Sequence, residues 1–403
     1  DASGACRVRN GPGPVAVPMC KKKPGHKREY EMKLLKTLTA TTAICAAGTM
    51  AAAEAHMASG DFTFVSWGGA YQYSQQKAYV DPYLEMNPDV SIIWEESSGE
   101  AVAKLRAMDE AGNITWDLVD VVAADALRLC DEGLAMEIDH DEILADAPDG
   151  TSATDDMGDL IVSDCHIPQI VYSTAFGYRT DVADWNGETP SQLCDIWDFE
   201  RFPGTRSMEQ NPIMNMEWAL ICDGVPQKDV YDVLATEEGQ DRALDKLSEL
   251  KGNTIWWTSG SETPQLLADG EAVFGSGWNG RLFDLIVKDE QPVEMMWDYQ
   301  VLDIDGWIIP AGLSDERLAR VKDFLYFATD TQRLADQAAY ISYGPARASS
   351  APLVGTHAEL GVEMGPHMPT APENMENAFV FNYSFWADYR DDLDAKFQAW
   401  LAQ

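Results

Sequence analysis

Positive charge is scarce in this chain. Its 403 residues hold 29 Lys+Arg against 67 Asp+Glu, a formal charge of −38. The first 55 residues are net basic, so the deficit lies wholly in the rest of the chain. A surface that acidic repels phosphate backbones and anionic headgroups, which argues against nucleic-acid and membrane-surface partners. Histidine is scarce as well, and His56, His140, His166, His357 and His367 are scattered with no HxxxH or HExxH spacing. Only seven cysteines occur, none in a CxxC pair, so no metal site is expected. Hydrolase signatures such as GxSxG or SxxK with its partner motifs are missing. After residue 60 no apolar run is long enough to span a bilayer.

One apolar run does stand near the start. From Met32 the chain reads MKLLKTLTATTAICAAGTMAAAEA: lysines, a short apolar stretch with threonines, then small residues. This pattern predicts a signal peptide over 32–55, cleaved after Ala53 or Ala55, and export to the periplasm of a Gram-negative bacterium. Residues 1–31, with a KKK run among prolines and glycines, are expected to be an upstream leader without fixed structure. Four cysteines come after this segment: Cys130, Cys165, Cys194 and Cys222. In an oxidising compartment an even number favours disulfides, with three connectivities open.

Length and periodicity then set the architecture. About 350 residues exceed what one core usually supports, so two lobes are expected. Phe62–Ser66, Val90–Trp94 and Trp116–Val122 read as strands, separated by helices over Ser74–Met86 and Glu100–Glu110 and followed by one over Ala124–Glu132. That alternation predicts an α/β fold with a parallel, doubly wound sheet, whose strand ends Ser66–Gly69 and Val122–Asp125 face one crevice. Ile167–Tyr178 reads as extended. Ala272–Phe274, Glu294–Trp297 and Trp307–Ile309 read as three further strands, and Ala387–Leu401 as a closing helix.

Two constellations invite a chemical reading. Gly275-Ser-Gly277-Trp-Asn-Gly280 matches GxGxxG, but Trp278 puts an indole where a backbone must approach a pyrophosphate, and the motif lies deep in the chain. No cofactor is expected. Asp303 and Asp305 stand two apart on a predicted strand and face one side, as an acid/base pair in a secreted hydrolase would.

A set of ordered segments decides between these readings. Phe62–Pro82 (FTFVSWGGAYQYSQQKAYVDP), Asp117–Leu134 (DLVDVVAADALRLCDEGL), Leu266–Gly280 (LLADGEAVFGSGWNG), Asp303–Pro310 (DIDGWIIP) and Ser342–Arg347 (SYGPAR) resemble the periplasmic binding proteins of spermidine/putrescine-type ABC transporters, over roughly residues 60–403. The resemblance implies a two-lobe fold with a hinged cleft, with lobe 1 over 56–171 and 305–349 and lobe 2 over 172–304 and 350–403. Each cysteine pair then falls within one lobe as Cys130–Cys165 and Cys194–Cys222. It implies a monomer that closes on a small solute and hands it to importer membrane subunits, with no catalysis.

The family match carries Trp67, Trp278 and Asp305 into the cleft. Gly69, Ala124, Asp125, Glu209, Asp303 and Arg347 complete the expected ligand-binding set. Departures from the polyamine pattern are Asp303 in place of a second tryptophan, Val122 and Ala124 in place of serine and tyrosine, and one carboxylate in Glu209-Gln210-Asn211. A polyamine or diamine is the first expectation. A zwitterion such as GABA or an opine, its carboxylate on Arg347, is the alternative.

Overall fold

The computed structural model describes residues 60–403. The expected leader and signal peptide, and His56, lie outside the described residues. Within them, alternating apolar residues form one mixed sheet of ten strands. Its main order is β2 (Val90–Glu96), β1 (Gly60–Ser66), β3 (Leu118–Val122), β8 (Val293–Ile308), β4 (Ile167–Arg179), β7 (Phe274–Trp278), β5 (Arg206–Glu209) and β6 (Thr254–Trp257). Two-residue strands β9 (Gly344–Pro345) and β10 (Phe379–Val380) join β4 and β8 respectively.

The parallel expectation holds at the two ends of the sheet, and in its middle only where the two-residue β10 joins β8. β1 pairs in parallel with β2 and β3, and β5 with β6 and β7. Between them β8 runs antiparallel to β3 and β4, and β4 antiparallel to β7. β8 is a single strand of 16 residues where two short ones were expected, because residues 297–300 break the apolar pattern and bulge out of register with β4, after which the pairing resumes. β4, of 13 residues, pairs with it along almost its whole length.

Two cores result from this layout. Phe62, Phe64, Leu118, Trp307 and Phe324 anchor one, beside a cluster of Val65, Val121, Leu129 and Cys165. The other gathers Phe176, Trp218, Leu247, Phe274, Trp386 and Phe397. β4 and β8 thread both cores, so each is tethered to the other by paired strands. The closing helix, Tyr383–Leu401, begins earlier than expected because Asn382 caps it, its side chain accepting from Phe385 N at 3.0 Å. Both disulfides form in the expected pairing, Cys130–Cys165 beside the first core and Cys194–Cys222 beside the second.

The glycine motif has a packing cause. Gly275 and Gly277 lie inside β7, not in a loop after a strand. A Cβ on Gly275 would sit 2.9 Å from Thr263 Cγ2, and one on Gly280 would sit 2.6 Å from Ile341 Cγ1. These glycines let side chains close on the backbone, and no phosphate-binding turn is present there.

Candidate ligand-binding cleft

The strand ends of both cores converge on a cleft of about 680 Å³. After β1, Gly68 and Gly69 adopt φ of +67° and +57°, which turns the chain sharply and leaves Trp67 facing the cleft. The turn leaves no room for a side chain, since a Cβ on Gly69 would lie 2.6 Å from Arg281 Nη1. Opposite, Trp278 ends β7 and its ring lies over Gly260, where a Cβ would approach within 2.1 Å. The two indoles meet edge to face at 6.0 Å, and Trp257 backs Trp278 at 5.9 Å. Tyr172, Val122 and Phe381 extend the apolar lining.

Charge is arranged within those walls. Asp303, on β8, is 4% exposed and lines the cleft. Its Oδ2 accepts from Tyr172 OH at 3.1 Å and its Oδ1 from Ile304 N at 2.7 Å. Burial pushes its carboxyl up to about 7. Glu209 at the end of β5 is likewise pushed up to about 7 by desolvation, against the opposing pull of Arg390. Asp125 and Glu96 complete the acidic lining.

Two guanidinium groups face these acids, and they differ. Arg390 is charge-balanced: it pairs with Asp394 at 3.2 Å and lies 3.8 Å from Asp125. Desolvation lowers its pKa, but those two carboxylates outweigh it and the net shift is upward. Arg281 forms no ion pair among the described residues. Its Nη2 donates to Trp67 O at 3.1 Å, its Nε has no hydrogen-bond partner, and it lies 5.0 Å from the Trp278 ring centroid. Burial lowers its pKa. A guanidinium held beside an indole with donor capacity unused is suited to receive a carboxylate.

Behind Trp67 the cleft narrows into an inner cavity of about 40 Å³, which shares Trp67, Val122, Tyr172, Trp278 and Arg281 with it. Asp305 lies at this inner end and is 3% exposed. Trp67 Nε1 donates to its Oδ2 at 2.8 Å. The two-residue spacing does put Asp303 and Asp305 on one side of β8, as expected, but in successive compartments.

Of the expected set, Trp67, Gly69, Ala124, Asp125, Glu209, Trp278 and Asp303 line the cleft, and Asp305 the inner cavity. Arg347 is brought to neither. Its buried side chain pairs with Asp156 at 3.2 Å and donates to Ala145 O, where it fastens the chain after β9. Sequence reasoning missed Arg281, although it stands three residues after Trp278. It also missed Arg390, which reaches the site from the closing helix with no local signal.

Comparison with known proteins gives this geometry a setting. The family model described as bacterial extracellular solute-binding protein matches residues 78–370. The chain belongs to that family. A gamma-aminobutyric acid-binding protein of Pseudomonas aeruginosa strain PAO1 is 34% identical over 357 residues, covering 88% of this chain and 95% of its own. Among solved structures, the binding protein MotA of A. tumefaciens B6 in complex with glucopine superposes with a TM-score of 0.72 at 25% identity, covering 85% of this chain and 99% of that one. A structure of a GABA receptor gives 0.71 at 28% identity, covering 85% and 98%. The two-lobe periplasmic binding protein fold is thereby established, with the role of an extracytoplasmic solute-binding component of an ABC transporter. It is a family of binding proteins rather than enzymes.

Proposed function

We propose that this protein captures a short zwitterion of the GABA type between its lobes. The observation that carries the reading is Arg281, a cleft guanidinium with no ion pair among the described residues, in the same cleft as the buried carboxyl of Asp303. The ligand carboxylate docks on the Arg281 fork. Its ammonium turns to Asp303 and Glu209, and its methylenes lie between Trp67 and Trp278, whose faces also attract a cation. A diamine needs an anion at each end, and a guanidinium over the Trp278 ring at the cleft wall opposes that. The names of the similar GABA-binding proteins and of the glucopine complex support the same class.

Capture proceeds by closure. Contacts from both cores favour the closed form, which the importer's membrane subunits recognise. We place the lobe crossings near 171/172, 304/305 and 349/350, where β4 and β8 pass between the cores and the chain leaves β9. Export by the segment 32–55 into a Gram-negative periplasm, and action as a monomer, complete the proposal.

A thermal-shift panel of GABA and other ω-amino acids, opines and diamines tests it. A cognate ligand at 100 times its Kd adds about 2.7 kcal/mol of stability. GABA-like zwitterions should give the largest shifts. Stabilisation by putrescine or spermidine alone would reject the reading.

A further inference from the structure

Below the inner cavity a chain of polar side chains joins Asp305, at the cavity wall, to the fully buried carboxyl of Asp120. Asp305 on β8 touches Tyr71, whose hydroxyl lies 2.8 Å from Asp305 Oδ1 and 2.6 Å from Gln169 Oε1. Gln75 Nε2 donates to Gln169 Oε1 at 3.2 Å and to both oxygens of Asp120, at 3.0 and 2.9 Å. Ser66 donates to Gln75 Oε1 at 2.7 Å, and Gln169 Nε2 donates to Gln337 Oε1 at 3.1 Å. Asp120, Gln75 and Gln169 are fully buried, so their polar atoms take their partners from this chain of side chains.

Counting donors exposes a deficit. Tyr71 has one proton and two acceptors at hydrogen-bond distance. If it donates to Gln169, the contact with Asp305 needs a proton on Asp305. If it donates to Asp305, two oxygens face each other at 2.6 Å with nothing between them. Turning the Gln169 amide over removes that conflict. Its NH2 then meets the Gln75 NH2, so Gln75 must turn as well and point its oxygen at Asp120, which then needs the proton. Both arrangements require one proton and differ only in its address; in the second Gln337 turns too, because Gln169 Oε1 would otherwise face Gln337 Oε1.

We propose that Asp120 and Asp305 share a single proton through Tyr71, Gln169 and Gln75, so that the inner end of the cleft presents a carboxyl pair of charge −1 rather than −2. The surrounding charges agree. Asp303 on β8 and Asp125 on the helix Ala123–Asp131 add negative potential at Asp305. The aromatic hydroxyls of Tyr71, Tyr172 and Tyr343 face it with their own pKa values raised first by burial. Arg281 is the cation lining the cavity, and desolvation weakens its charged form. Burial holds Asp305 up to about 8, and burial followed by the Asp305 charge holds Asp120 well above the ordinary range. Such a pair titrates as a unit.

The consequence for ligand choice rests on the zwitterion reading: a second ammonium entering the inner cavity would have to displace this proton. The proton count itself does not rest on it, and is tested on the ligand-free full chain. The native pair binds one proton more than the unfolded chain between the unfolded carboxyl range and about pH 8, so it makes stability fall as pH rises through that window. Urea unfolding of the parent, Asp120→Asn, Asp305→Asn and the double variant, from pH 5.5 to 7.5, gives the proton difference from each slope. Each single variant should lose one proton of native excess, and the double variant should also lose one. Two protons lost in the double, or none lost in either single, overturns the proposal. Should a variant fail to fold, the infrared carboxylic-acid C=O band decides. One carboxyl's worth of intensity must vanish from the parent spectrum in whichever single variant folds, and an unchanged band refutes the sharing.

Discussion

Neutralising Arg128 should loosen closure without touching the ligand. Arg128 stands on the helix Ala123–Asp131, whose Ala126 and Leu129 pack in the first core, and its Nη2 reaches Asp391 at 2.9 and 3.0 Å. Asp391 belongs to the closing helix, whose Phe385, Trp386 and Phe397 pack in the second core. One turn away the polarity is reversed, with Asp125 on the first helix 3.8 Å from Arg390 on the second. The pairs therefore link helices of the two cores beside the cleft, and on the proposed lobe division they should break when the lobes part. The Asp391 side chain is 72% exposed, so solvent screening limits the Arg128–Asp391 pair to about 0.5–1 kcal/mol. Since closure and binding are linked, Arg128→Ala should raise the Kd for GABA about two- to fivefold at low ionic strength. High salt should shrink the difference, because the pair lies at the surface. Titration calorimetry on Arg128→Ala, Asp391→Ala and the double variant gives the coupling energy. Strictly additive effects at low salt, or a Kd unchanged by either substitution, would refute the latch.

Trp278→Ala should weaken ligand binding by about 2–4 kcal/mol while the fold persists, because the indole is a central wall anchor; equal affinity by calorimetry would remove Trp278 from the site. Each disulfide closes a loop of 35 or 28 residues and should contribute about 3–4 kcal/mol. Cys130, Cys165, Cys194 and Cys222 should therefore give no thiol signal in the unfolded, unreduced protein, and reduction should lower its urea midpoint. Glu217 lies buried in the second core, where Trp386 Nε1 donates to Oε1 at 2.6 Å and Oε2 has no partner. Burial pushes it up to about 7, so its favourable contribution is complete below the ordinary carboxyl range and is lost as pH rises to about 7. Glu217→Gln should therefore gain about 1–3 kcal/mol over the parent at pH 8 and little at pH 4, read from urea unfolding at both.

Much of the fold could be read from residue order. The runs at 62–66, 90–94 and 116–122 are rich in apolar and β-branched residues and separated by helical periods, and they fall on β1, β2 and β3, the last beginning at Leu118 rather than Trp116. β8 was hidden because its middle, Trp297 to Gln300, leaves the β4 register, with a left-handed Tyr299 and a Gln300 buried against Pro369 O and Asn374 O, and so looks like a loop in one dimension. Trp67 and Trp278 were legible as cleft residues through the family resemblance; residue order alone marked them only as strand ends. Arg347 misled because an arginine's partner is not written beside it: Asp156, its partner, is far away in the chain. The shared proton on Asp120 and Asp305 was equally invisible. It exists only because β3, β4 and β8 bring Asp120, Gln169 and Asp305 around the helix Gly69–Gln75, which sets Tyr71 and Gln75 between the two acids. Asp305 was expected in the cleft, but nothing in residue order ties it to Asp120.

The central claim, that Arg281 receives a ligand carboxylate, is tested most directly by titrating GABA and putrescine into the parent and Arg281→Ala in the same calorimetric series. Removing the guanidinium should cost GABA about 2–4 kcal/mol, roughly 30- to 1,000-fold in Kd, and should leave putrescine no weaker than before. GABA binding unchanged in Arg281→Ala, or a parent that binds putrescine more tightly than GABA, would contradict the account.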